Sequence, residues 1–155
     1  MTPLRASILV ATGLGLAALP AAAQSRLDRM QAVSERANAL MNEAMIIEIP
    51  ALEGNMPDPA WDEPMRTAYA CILDGYVAAS SEGAVDGMLD RMEALLETAT
   101  VDSILTGEMG DDAMLPEGVD EAEAQAVLSG CGLMELMMTR MAESGAMGVM
   151  MQQSQ

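Results

Sequence analysis

The chain has no histidine, no lysine and no phenylalanine. Without histidine there is no Ser-His or Cys-His nucleophile pair, no proton shuttle titrating near neutrality and no imidazole metal site. Without lysine there is no Schiff-base chemistry and no GxxxxGK loop to cradle a phosphate. Only Trp61, Tyr69 and Tyr76 carry aromatic rings, so little surface is available for stacking sugars. Paired carboxylates could still hydrolyse a glycosidic bond, and Asp74, Glu93 and Glu135 fall on predicted helices, but each reads as a solvated helix face. No catalytic residue is assigned, and a non-enzymatic protein is expected.

Positive charge is equally scarce. Seven arginines stand against 24 acidic residues, for a net charge of −17. Nucleic-acid binding depends on cationic side chains that displace counterions from phosphates, so nucleic acid is excluded as a partner. Anionic lipid surfaces are disfavoured for the same reason. Cations and basic proteins remain. The acidic stretch around Glu108, Asp111 and Asp112 lacks the D-x-[DN]-x-[DN]-G order of a helix-loop-helix calcium site, and no metal is assigned to it.

Long hydrophobic runs are limited to one, Ile8 to Leu19. Arg5 precedes it, and Pro20 and Ala21-Ala22-Ala23 follow, which is the order of a secretory signal peptide cleaved before Gln24. The run is shorter than the ~20 residues that span a bilayer, so no membrane insertion is expected after cleavage. Residues 1–23 are read as the leader, 24–145 as a helical domain and 146–155 as a methionine-rich C-terminal tail. The mature protein then keeps six arginines and all 24 carboxylates, a net charge of −18, and is periplasmic or secreted. In that oxidising setting the only two cysteines, Cys71 and Cys131, most simply form a disulfide.

What is abundant is helix-forming apolar sequence. Ser25 to Asp28 has the form of a capping box, and behind it Leu27, Met30, Val33, Ala37, Leu40, Met41, Ala44 and Ile47 recur at three- and four-residue steps. The proline-rich stretch PALEGNMPDPAWDEP follows as a connector. Asp62 as N-cap and Pro64 in the first turn open a second helix with the stripe Met65, Ala68, Tyr69, Ile72, Tyr76 and Ala79. A third carries Val85, Met88, Leu89, Met92, Leu95, Leu96 and Ala99, with Val101 to Leu105 prolonging it or forming a separate turn. After the acidic loop, Asp120 and Glu123 cap a last helix with Ala124, Val127, Leu128, Cys131, Met134, Met138 and Met141 on one face. Gly130 and Gly132 around Cys131 imply a close backbone approach or a bend. The expectation is an all-α fold, a small four-helix bundle with two long loops and one disulfide. The outline resembles the many small exported helical proteins of bacteria clipped by two cysteines, a resemblance that implies no activity.

Seventeen methionines are present, and seven of the eighteen residues from Met134 to Met151 are methionine. Up to Met141 these read as core fillers in a protein without phenylalanine. Beyond Gly145, Met147, Val149, Met150 and Met151 have no further chain to cover them. A polarisable patch on an acidic body suits a basic and apolar protein or peptide partner. Met137, Met147, Met150 and Met151 are the expected contacts, with Glu117, Asp120, Glu121 and Glu123 steering the approach. No cofactor is expected. The alternative is envelope Cu(I) binding through MxxM pairs, Met134 with Met137, Met138 with Met141, and Met147 with Met150.

Overall fold

The computed structural model describes residues 21–106 and 114–153, with side chains from Arg26 onward. Residues 1–20 of the expected leader lie outside the described residues, as do Glu108, Asp111 and Asp112. Among the described residues there are seven α-helices and no strand: α1 Ala21–Glu48, α2 Glu63–Ala79, α3 Glu82–Thr98, α4 Val101–Leu105, α5 Glu121–Gly130, α6 Leu133–Ser144 and α7 Ala146–Gln153. A 3-10 turn, Pro50–Leu52, follows α1. The chain is thus all-helical and stapled once, between Cys71 and Cys131, with Cα atoms 5.7 Å apart.

Seven helices stand where four were expected, for two local reasons. The Thr100 hydroxyl accepts a hydrogen bond from the Ser103 amide and the Ser103 hydroxyl accepts one from the Thr100 amide, so α4 starts afresh instead of prolonging α3. Left-handed glycines, whose conformation costs them nothing sterically, account for the rest: Gly132 at φ +71° cuts the expected last helix into α5 and α6, and past Gly145 at φ +91° the expected C-terminal tail is itself helical, as α7. The first helix also departs from expectation. Ser25, the expected cap, lies within α1, and Asp28, its expected capping partner, is engaged by Arg66 (2.9 Å) across to α2.

The core lies where α1, α2 and α3 meet, with α5 laid on α2. α1 contributes Leu27, Met30 and Val33; α2 contributes Ile72, Leu73 and Tyr76; α3 contributes Val85, Met88, Leu89, Met92 and Leu96. Val85, Met88 and Leu89 are sealed from solvent, and burial of such a side chain is worth about 1.5–3 kcal/mol. Burial pushes the Tyr76 phenol above its ordinary value. Two of the three caps read from sequence are formed: Asp62 accepts from the Met65 amide (3.0 Å), and Asp120 and Glu123 exchange both bonds of a capping box.

An ionic ladder fixes the register of α1 on α3. Arg26 grips Asp86 with two nitrogens (2.7 and 3.0 Å) and reaches Glu82, while Arg29 grips Glu93 (2.8 and 2.7 Å) and reaches Asp90. Those four carboxylates form a stripe at near-helical spacing on one face of α3, and two arginines serve them all. The paired guanidinium groups hold the Asp86 and Glu93 carboxyls below their ordinary range and are themselves held more firmly protonated. Glu93, a candidate for carboxylate chemistry on sequence, therefore has both oxygens engaged by Arg29. Asp74 and Glu135 are exposed.

Gly130 and Gly132 do not serve a close approach, since a Cβ at either would meet nothing within 4 Å. The tight contact is at Gly75, where a Cβ would stand 2.7 Å from Val127 Cγ1. That glycine lets α5 settle against α2 deeply enough for Cys131, the residue closing α5, to reach Cys71.

Candidate functional site

The connector between α1 and α2 builds one wall of the candidate site. With Pro50, Pro57 and Pro59 it cannot form regular hydrogen bonds along its length, so its carbonyl groups need partners elsewhere. Asn42 on α1 donates to the Pro57 carbonyl (2.8 Å), and Arg140 on α6 donates through Nη2 to the carbonyls of Asp58 (2.8 Å) and Ala60 (3.0 Å). Glu35 on α1 accepts from the Trp61 amide (2.9 Å). The connector is thereby laced to α1 on one side and α6 on the other, and Trp61 stacks on Tyr69 with ring centroids 4.2 Å apart.

Arg140 is the clasp of this arrangement. Its side chain is largely buried, with Nη1 3.5 Å from an Asp62 oxygen. That distance is too long for a hydrogen bond, so Nη1 is buried without a hydrogen-bond partner. Asp62 is doubly employed, capping α2 and offsetting the Arg140 charge.

Between the connector, α1, α2 and α6 lies a pocket of about 150 Å³, whose lining includes Met41, Met45, Met56, Met65, Met137 and Met141. Asn38, Asn42, Asp58 and Arg140 bring polar groups to the same lining. Six of the twelve lining residues are methionine. In the main core cluster the share is three of thirteen, namely Met30, Met88 and Met92. A chain-wide preference for methionine therefore does not account for the pocket.

The opposite side of α6 faces solvent. Met134 and Met138 are 53% and 59% exposed, and α6 has no buried residue. This corrects the expectation that Met134, Met138 and Met141 fill the core. Leu128 and Cys131 do pack against the core, but the left-handed turn at Gly132 ends their helix, and α6 restarts in a new phase. The stripe that would have carried α5's buried face onto Met134 and Met138 is broken there.

The structure also redistributes the expected contact residues. Met137 turns inward and lines the pocket, Met147 and Met150 are half-buried on α7, and Met151 is exposed. α7 packs on α6 and on the 3-10 turn, with Ala146 fully buried. Within the first two MxxM pairs the members part company: Met137 and Met141 line the pocket, Met134 and Met138 stand outside. The sulfurs that share a lining are spaced by four, Met137 with Met141 and Met41 with Met45, one turn apart on their helices. That spacing was present in the sequence. Met56 was not foreseeable, because a proline-rich connector has no periodicity from which to infer a direction.

Of the carboxylates expected to steer a partner, none lines this pocket. Glu117 and Glu121 border a separate open depression with Arg91, Leu115 and Val119, and all four, including Asp120 and Glu123, are exposed. Among the described residues no group of three or more carboxylates or thiols is placed to hold a metal ion, and no helix is long and apolar enough to cross a membrane. No protein-family model matches the chain, and neither the curated proteins nor the solved structures yield a match.

Proposed function

We propose that the protein is an exported, non-enzymatic helical module that binds a protein or peptide of basic and apolar character. The observation carrying this reading is the outer face of α6, where Met134 and Met138 are each more than half exposed on a chain of net charge −17. Methionine adapts its shape and offers polarisable contact, and the surrounding carboxylates raise the local concentration of cationic partners. Met151, on α7, is also exposed. The residue inventory supports a binding role over catalysis: no histidine or lysine is present, and Glu93 is spent on Arg29.

The test is calorimetric titration with a synthetic amphipathic peptide of lysine and leucine, against a glutamate and leucine counterpart. The basic peptide should bind, the acidic one should not, and affinity should fall at least tenfold in Met134→Ser/Met138→Ser. Equal binding of both peptides, or indifference to the double substitution, would reject the outer face of α6 as the docking surface.

A further inference from the structure

We propose that the pocket on the inner side of α6 is a thioether site for a monovalent soft metal, Cu(I). The inference is independent of the partner reading, because it concerns the opposite side of the same helix.

Four elements bring methionine to one place: Met41 and Met45 from α1, Met56 from the connector, Met65 from α2, and Met137 and Met141 from α6. If the pocket needed only an apolar lining, leucine would serve better, since it forms helix as readily and fixes its shape more firmly. What methionine adds is a neutral, polarisable sulfur, and thioether donors select Cu(I) among first-row metals. They are also the only soft side-chain donors left to the folded chain. Both cysteines are joined to each other and there is no histidine.

Size and charge narrow the occupant further. A volume of about 150 Å³ is below the ~300–1,000 Å³ of pockets that take drug-sized ligands or cofactors, yet it gives a single ion and the thioethers around it room to adjust. The strongly acidic body draws cations towards the molecule. Arg140 in the lining repels a divalent ion more than a monovalent one, and the neighbouring Asp62 carboxylate offsets part of its charge. A neutral donor set beside a guanidinium therefore suits a singly charged soft ion and disfavours hard divalent ones.

The site differs from the MxxM reading of the sequence. It excludes Met134 and Met138, which stand outside, and recruits Met41, Met45, Met56 and Met65, which lie up to a hundred residues away in the chain. That difference makes the proposal testable within one helix.

The experiment is an anaerobic Cu(I) titration of the full mature protein against a chromophoric Cu(I) chelator, with Cu K-edge X-ray absorption on the loaded wild type. The wild type should withdraw one equivalent at micromolar metal and show a first shell of sulfur alone. Met45→Leu/Met137→Leu/Met141→Leu keeps side-chain volume and should lose at least tenfold in affinity. Met134→Leu/Met138→Leu should keep it. Failure of the wild type to compete, a nitrogen- or oxygen-dominated shell, or equal loss in the two variants would overturn the proposal. So would binding of small hydrocarbons to the pocket with Cu(I) ignored. Absorption on the wild type decides the matter even if the triple variant folds poorly.

Discussion

Reducing the disulfide should loosen α6 before it loosens the core. Cys71 and Cys131 enclose a loop of sixty residues, and restricting the unfolded chain by a loop of that length is worth about 4 kcal/mol. For a domain of this size each kcal/mol shifts the melting temperature by about 3–5 °C, so the loss should be about 12–20 °C. The local consequence follows from burial. α2 and α3 bury five residues each, α5 buries Ala124 alone, and α6 has no buried residue. The bond lands on the residue that closes α5, one residue before the turn into α6. Without it, α6 is held by the Arg140 clasp and half-buried methionines. Circular dichroism melts of oxidised protein and of Cys71→Ser/Cys131→Ser give the global number, and amide hydrogen exchange gives the order of release. In the variant, the amides of α6 should exchange faster while those of α3 keep their relative protection. A drop in melting temperature below about 4 °C, or loss of protection in α3 ahead of α6, would refute the reasoning.

Three further perturbations probe other parts of the structure. Gly75→Ala should destabilise by about 1–2 kcal/mol, the overpacking against Val127 outweighing the ~1 kcal/mol gain in helix propensity, and Val127→Ala in the same chain should relieve most of the loss in denaturant titrations. Leu52→Ala, at a side chain with no exposed surface, should cost about 2–5 kcal/mol in the same assay. The α1–α3 ladder should make the fold acid-sensitive in one direction. Asp86 and Glu93 have folded-state pKa values below the ordinary carboxylate range, so their stabilisation is complete above about pH 4–5 and fades as pH falls through the lowered folded values. Arg26→Gln/Arg29→Gln should flatten that acid limb relative to wild type while leaving the pH 6–8 plateau level. An unchanged acid limb would count against the ladder.

Much of this architecture was legible in the residues, and the exceptions share a cause. The stripes of α2 and α3 were readable because uninterrupted 3.6-residue periodicity fixes which side chains share a face, and Met65, Ile72, Val85, Met88 and Leu89 are buried accordingly. Asp62 and the Asp120–Glu123 box were readable because capping is local chemistry. The pairing of Cys71 with Cys131 followed from there being two. What failed was continuity across Gly132: a left-handed φ cannot be read from a glycine's identity, and that one residue re-phased α6, turning Met134 and Met138 outward and Met137 inward. Met41 and Ile47 failed for a related reason. They continue the α1 stripe in sequence, but no core lies opposite them: both are exposed, and Met41 is among the residues lining the pocket beside the connector. The pocket itself was out of reach, because it depends on where a proline-rich connector lies, and that is decided by Asn42 and Arg140, whose targets are backbone carbonyls.

The central claim is that α6 has two methionine faces, one open to solvent and one turned to the pocket beside the connector. Brief treatment of the native protein with dilute hydrogen peroxide, followed by peptide mass analysis of methionine sulfoxide, measures this directly. Met134 and Met138 should oxidise first, Met137 and Met141 more slowly, and Met65 and Met88, which are almost wholly buried, last. Protection of Met134 and Met138 equal to that of Met88 would contradict the account.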